Sequence, residues 1–509
     1  MGKRLWSFRG GMRLPGHKSL SAEGEIRAVP LPDKLVLALR QHSGQPAIPL
    51  VEAGDRVKKG QCIARAAEGI SAALHAPTSG TITAITAAPL AHPSGESDMC
   101  IHLCPDGEDE WCRLSPIADP LQAPIEELVT RIAETGVVGL GGAVFPSAIK
   151  LDPKVQPEIL IINGVECEPY ITCDDMLMRK RPGDILHGIA VLLHVTGARQ
   201  CFVGIEDNKP KALAEMQSMH RELLAKQLPG MERVEIVAVP TRFPAGGEKQ
   251  LIYTLTGREV PSGKLPRDIG VVCNNVGTAA AIHDAVFKGR PLLSRIVTLT
   301  GEALPSPANF EVLIGTPVAT LLKLAGLEDA SNVELVMGGP MMGFPISSAQ
   351  VAINKGSNCI LARPHREQNN AEHAPCIRCG TCVTVCPASL LPQQLYWYAR
   401  ARKFDKSEAH HLFDCIECGC CAHVCPSHIP LVEYFRFAKH AVADQRKRQR
   451  KAEIARQRNE SRLARLEKEK QEKEAARAKR RAARKAASKK TTISDAKTDA
   501  PPMTAQKVS

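Results

Sequence analysis

The sequence predicts a multidomain α/β protein, and three observations carry that reading. Between residues 120 and 290 short apolar runs alternate with amphipathic helical stretches, as expected for parallel strands joined by helical crossovers. Residues 30–115 hold short strand-like runs broken by frequent turns. A cysteine run is written twice between 376 and 426, ahead of a long charged tail. At 509 residues the chain has room for about three or four domains with sizeable cores.

The net charge of +12 belongs to one segment. From Lys439 to Lys490 there are 21 Lys+Arg against 7 Asp+Glu, and the rest of the chain has 45 against 47. The basic N-terminus, MGKRLWSFRGGMRLPGHK, is followed by no apolar segment and no small-residue cleavage site. The longest apolar runs, such as ILHGIAVLLHVTGA, fall short of the roughly 20 residues a bilayer span needs. Eighteen cysteines without a secretion signal predict a reducing compartment, where thiols bind metal more than they pair. The expectation is a soluble protein on the cytosolic side.

After an N-terminal extension (1–29), the segments IPLVEAGDRVKKGQCIARA and LHAPTSGTITAI within 30–115 have the look of a barrel-sandwich hybrid. That is the small fold of biotinyl and lipoyl carriers. Carriers attach their cofactor to a lysine at a hairpin tip, and there is none between Ala67 and Thr81, so the module reads as structural. In 120–290, APIEELVTRIAETG has helical spacing, while EILIING, QCFVGIED and VEIVAV read as buried strands. Residues 294–350 fit strands plus one helix, a small β-grasp-like α+β unit. A polar loop (363–375) leads into the cysteine segment, assigned to 366–435, and the tail (436–509) ends in a stretch too polar to order.

CIRCGTCVTVCP and CIECGCCAHVCP are two copies of C-x₂-C-x₂-C-x₃-C-P. Three thiolates at this spacing wrap one cubane, and the fourth reaches the other cluster. Cys376, Cys379, Cys382 and Cys425 are assigned to one [4Fe–4S] cluster, and Cys415, Cys418, Cys421 and Cys386 to a second. Cys420, beside Cys421, leaves two registers open at that corner. A four-cysteine zinc site needs two C-x₂-C pairs and leaves the two runs of four unexplained. Cys100, Cys104 and Cys112 are a looser candidate metal set, against the plainer reading of small buried residues. The 28 residues between the motifs read as two helices, a helical ferredoxin-like arrangement.

Clusters move electrons singly, so a hydride donor needs a converter between, for which flavin is usual. The candidate cradle is GVVGLGGAVFPSAIK (136–150), with four glycines in its first seven residues. It matches neither a nucleotide-hydrolysing loop nor a dinucleotide fingerprint. IINGVECEPY presents Asn163, Glu166 and Glu168 at a strand end, where ligands of open α/β sheets bind. FPAGGEKQLIYTLTG adds Gly246, Gly247 and Glu248. VVCNNVGTAAAIHDAV places Asn274, Asn275 and Thr278 at a strand-to-helix junction, where helix amides favour phosphate.

In this order the four stretches resemble the FMN- and NADH-binding subunit of respiratory complex I and its relatives. There the loop reads G-R-G-G-A-G-F-P-T-G-x-K, followed by N-G-D-E-x-E-P, G-E-E-T and a V-N-N segment. The resemblance makes Gly139, Gly141, Gly142, Lys150, Asn163, Gly246, Asn274, Asn275 and Thr278 contacts of non-covalent FMN. It stacks Phe145 on the adenine of NADH and sets Glu166, Glu168 and Glu248 around the nicotinamide and its ribose as the catalytic border. Leu140 departs from the family arginine, Val144 and Ala148 from glycines, Val165 from aspartate and Gly247 from an acid. FMN contacts are better kept than NADH-facing ones.

The whole architecture over roughly 5–435 resembles the C subunit of Rnf/Rsx ion-translocating electron transport complexes. That resemblance implies an NADH-dependent translocase component, peripheral on the cytoplasmic face of the inner membrane, with the complex's other subunits as partners. An Fe–S relay without a working NADH site is the alternative. The tail has no aromatic after Phe437 and mixes Glu among its bases, which argues against nucleic acid. It reads as a solvated helix or extension, or as an adhesion to anionic lipid.

Overall fold

The structure, a computed structural model, describes residues 3–42, 44–93, 95–152, 156–365 and 373–494. Part of the polar loop expected at 363–375, and the tail end from 495 to 509, lie outside the described residues. The chain divides into two compact units, Met1–Arg436 and Phe437–Ser509.

The N-terminal module is two small antiparallel sheets sharing one core. One runs in the order Leu35–Ala38, Ser97–Pro105, Gly80–Pro89, Arg56–Val57, the other Ile48–Pro49, Cys62–Arg65, Leu74–His75. Strand alternation decides what is buried: Leu35 and Leu37 point into the core with Ile63, Ile82, Ile101 and Leu103, while Val36 and Ala38 stay half-buried. Among the described residues, the thiols of Cys100, Cys104 and Cys112 do not converge into a ligand set within 4.8 Å.

The α/β domain has a four-stranded parallel sheet ordered Val234–Val239, Gln200–Glu206, Ile159–Gly164, Val271–Asn275. Both faces of the inner strands are covered, so these read as continuous apolar runs, while the edge strand Val234–Val239 leaves Glu235 and Ala238 exposed. Leu160 and Ile162 pack with helices Pro182–Thr196 and Val276–Phe287, and Ile159 and Ile161 pack with helix Glu248–Thr256 and Phe8. Phe8 belongs to the expected N-terminal extension, which threads into the body. The Trp6 amide donates to Thr254 O at 3.0 Å, Met12 and Phe243 exchange backbone hydrogen bonds, and the Gly11 amide reaches Val385 O at 2.9 Å.

The β-grasp-like unit is a six-stranded mixed sheet ordered Arg27–Ala28, Ala308–Leu313, Ser294–Thr300, Cys359–Pro364, Val333–Met337, Phe344–Pro345. It reaches beyond the expected 294–350 at both ends of the sequence. Cys359–Pro364 is an interior strand whose first four residues are buried, and a strand covered on both faces gives no alternation to read. The cysteine segment carries helices Pro392–Arg400 and Phe404–Ala409 between its motifs, packed around Leu395, Tyr396 and Leu412. In the second unit the helix that ends at Ser494 has every described side chain from 443 to 488 exposed. Among the described residues no helix is long and apolar enough to cross a membrane.

Candidate functional site

The parallel strands Ile159–Gly164 and Val271–Asn275 end side by side, with Asn163 opposite Asn275. Four sequence-distant stretches meet at this edge. Asn163 Nδ2 donates to Gly246 O at 2.9 Å, and Asn275 Nδ2 donates to Asn163 O at 3.2 Å. Asn275 Oδ1 also caps helix Val276–Phe287 by accepting the Gly277 amide at 2.8 Å, satisfying one donor of its first turn.

The glycine loop closes on itself and on this edge. The Gly139 amide donates to Phe145 O at 2.7 Å, and the Leu140 amide donates to Thr278 Oγ1 at 2.9 Å. The tip is exposed at Gly141 and Gly142, with Phe145 half-buried beside it. Gly142 has φ +105° and open space where a Cβ would point, so a side chain there is excluded by backbone strain, not by crowding. Lys150 Nζ donates to Cys273 O at 3.2 Å and lies 3.4 Å from Glu248 Oε1. Asn274 Nδ2 is buried with no partner among the described residues. An exposed glycine tip, a lysine, an orphaned amide and a capped helix N-terminus fit a bound mononucleotide phosphate.

The three predicted acids fare differently. Glu248 is the first residue of its helix and stays 42 % exposed beside Lys150. The Glu166 carboxylate accepts the Asp174 and Asp175 amides, at 2.7 and 3.3 Å, at the N-terminus of helix Cys173–Lys180. Burial pushes its pKa up to about 7, against the pull of Lys18. The Glu168 carboxylate accepts the Met341 and Met342 amides at 2.7 and 3.0 Å, and burial raises it as well. A Cβ on Gly339 would lie 2.2 Å from Glu168 Cγ, so the seat requires glycine.

Two lysines that stand outside every motif hold this loop. Lys18 Nζ donates to the carbonyls of Glu166, Glu168 and Ile171 at 2.9, 3.1 and 2.6 Å. Lys209 Nζ, fully buried, donates to Val165 O at 2.7 Å and to Glu206 Oε2 at 3.3 Å. Neither is signalled by spacing in the sequence. Two of the departures from the complex I pattern have packing reasons. The Leu140 side chain is buried in the N-terminal module's core and Val165 in the core under the sheet.

The cysteines line two cavities. One of about 510 Å³ is bordered by Cys376, Cys379, Cys382 and Cys425, and a tighter one of about 20 Å³ by Cys386, Cys415, Cys418 and Cys421. The four thiols of the first, and four of the five cysteines that border the second, match the donor set of a cubane. Cys420 is fully buried at the wall of the second and packs with Phe243 and Cys418. Phe243 opens the loop that carries Gly246 and Glu248, and Cys167 Sγ, in the same apolar cluster, accepts the Gly246 amide at 3.2 Å. The second cavity therefore lies against the cradle. The first faces outward, with Cys379 exposed and Ile377 68 % exposed.

Sequence comparison agrees with this division. Residues 6–108 match the family described as RnfC barrel sandwich hybrid domain, 132–284 the Nuo51 FMN-binding domain, 296–345 the SLBB domain and 375–429 the 4Fe-4S dicluster domain. Similar curated proteins are named as the C subunit of an ion-translocating oxidoreductase complex. The one from Yersinia pestis bv. Antiqua is 49 % identical over 438 residues, 86 % of this chain and 69 % of its own length. That from Pseudomonas aeruginosa is 49 % identical over 88 % of this chain and 57 % of its own, and that from Serratia proteamaculans 48 % over 86 % and 61 %. This chain thus spans about three-fifths to two-thirds of these relatives. A solved NAD+-reducing [NiFe]-hydrogenase in the H2-reduced state is similar over 63 % of both chains, with TM-score 0.45 and 17 % identity.

Proposed function

The chain belongs to the family of C subunits of ion-translocating oxidoreductase complexes, and from that premise we propose that it is the peripheral electron-input component of such a complex. It passes electrons between NADH, FMN and two [4Fe–4S] clusters, as part of a translocase at the cytoplasmic face of the inner membrane. The observation that carries this reading is the contact between the cradle loop and the second thiol cavity through Phe243, Cys167 and Cys418.

FMN, when bound, would supply the conversion between a two-electron hydride donor and one-electron clusters. Lys150, Asn274, Asn275 and Thr278 would hold its phosphate side, with Asn163 and Gly246 fixing the strand-end loop beneath it. Phe145 and the exposed Glu248, paired with Lys150, would meet NADH, while Glu166 and Glu168 position the loop through backbone amides. Cys386, Cys415, Cys418 and Cys421 would hold the cluster nearer the cradle. Cys376, Cys379, Cys382 and Cys425 would hold the outer one, which faces another protein of the complex.

One observation favours a second reading, a non-catalytic Fe–S relay. Two of the three acids expected at the nicotinamide are committed to backbone amides. FMN and iron content of the anaerobically purified chain separates the two. One flavin with the iron of two clusters supports electron input. Full iron with no flavin, retained or taken up, supports the relay.

A further inference from the structure

A third cavity, of about 450 Å³, lies at the junction of the barrel-sandwich, α/β and β-grasp-like domains, outside both the glycine cradle tip and the thiol cavities. Its volume is within the range of small-molecule sites, roughly 300–1,000 Å³. One wall is the small-residue face of helix Val276–Phe287, with Gly277, Ala280 and Ala281. The lining also includes Trp111 and Lys59 of the barrel-sandwich domain and Arg295 and Leu313 of the β-grasp-like sheet. Leu31, Leu177, Leu292 and Leu293 complete an apolar body.

The charges are unevenly answered. Lys59 pairs with Asp109 at 2.5 Å, and Arg181 pairs with Asp284 at 2.7 Å. The other two lining acids are taken by neutral donors, Glu311 by Ser294 Oγ at 2.8 Å and Asp174 by Asn275 Nδ2, which leaves two guanidiniums without an ion pair among the described residues. Arg295 is 6 % exposed and donates only to the Lys355 and Leu140 carbonyls, at 3.0 and 3.2 Å, with no carboxylate in ion-pair range among the described residues. Arg290 makes no ion pair among the described residues and lies over the Trp111 ring at 5.3 Å. Asp174, in the same lining, pulls on Arg295 from beyond ion-pair range. A buried guanidinium whose hydrogen bonds go to carbonyls alone is not fully neutralised, and its cost falls when an anion arrives. Burial lowers the Arg295 pKa, in keeping with that shortfall.

We propose that this three-domain cavity is a binding site for a soluble organic anion of about nucleotide size. Its anionic group is taken by Arg290 and Arg295, and its apolar body lies along the Ala280–Ala281 face beside Trp111, whose ring already carries Arg290 and Lys59. Recognition is bidentate in chemistry, so carboxylate, sulfonate and phosphate esters are all admissible, whereas an uncharged ring system of the same size is not. The site touches the cradle from behind. Arg295 holds the Leu140 carbonyl of the glycine loop, and Asp174, another lining residue, accepts from Asn275 Nδ2 at 2.6 Å.

The test uses the full chain with flavin and clusters loaded, under anaerobic equilibrium dialysis. The probes are 8-anilinonaphthalene-1-sulfonate and its uncharged counterpart N-phenyl-1-naphthylamine. One saturable site is expected for the anion, and the uncharged probe should bind at least about 10-fold more weakly, as loss of a charge-assisted contact implies. Arg290→Ala, at the rim, should weaken the anion about 10-fold, and Ala281→Phe should block it by filling the cavity, both with flavin and iron content unchanged. If Ala281→Phe fails to fold, Arg290→Ala and the uncharged probe still decide. Absence of a saturable site, equal binding of the two probes, or an affinity untouched by Arg290→Ala would overturn the proposal.

Discussion

At the residue scale the cradle rests on few side chains, and each has a separable role. In the proposed cradle Lys150 supplies the ammonium and Asn274 the orphaned amide. Lys150→Ala and Asn274→Ala should each weaken FMN binding by about 10- to 100-fold, the range for one charge-assisted or buried hydrogen bond. Fluorescence titration of the deflavinated chain checks this, with iron content as the control. Glu166 is predicted to act on stability. Its pKa of about 7 stands above the 4.5 of an unperturbed glutamate, mainly through burial. Below pH 4.5 both folded and unfolded chains carry this proton. As pH rises from there to about 7 only the unfolded chain releases it, so stability falls; above about 7 the loss is complete. Relative to Glu166→Gln, the wild-type chain should therefore lose about 2 kcal/mol between pH 5.5 and 8, measured by denaturant midpoints at each pH. The four stretches that meet at the cradle were legible because Gly, Asn and Lys cluster at strand ends. Lys18 and Lys209 were not, because a lysine that collects carbonyls leaves no spacing in the sequence.

At the scale of elements, the cysteine motifs were legible in full spacing, and what remained open was the register at Cys420 and Cys421. Both Cys420 and Cys421 border the cavity with Cys386, Cys415 and Cys418, and Cys420 is fully buried and packs with Phe243; the motif spacing favours Cys421 as the ligand. Cys421→Ser should lose the iron of one cluster, and Cys420→Ser should keep the full complement, read by iron analysis and EPR. If Cys420→Ser loses the cluster and Cys421→Ser keeps it, the register is the other one. The parallel sheet was legible from its apolar runs. The Cys359–Pro364 strand was not, because it is buried on both faces, nor was the N-terminal thread, because Phe8 and Met12 give no periodic signal.

At the scale of the whole molecule, the charge count assigns the excess positive charge to residues 439–490, whose described side chains from 443 are exposed on one continuous helix. A helix polar all round has no face to bury, so any hold on an anionic leaflet is electrostatic and salt-sensitive. Removing residues 439–509 should lower recovery of the chain with membranes at low salt and leave recovery at high salt unchanged; equal recovery at low salt would leave the tail a solvated extension. The central claim is that one chain accepts electrons from NADH at the glycine cradle and delivers them to its own clusters. An anaerobic NADH titration of the reconstituted chain, followed by visible absorbance and EPR, tests it most directly. Bleaching of a flavin band together with reduced-cluster signals is the predicted result. Clusters that respond to dithionite but not to NADH, in a chain that holds no flavin, would contradict it.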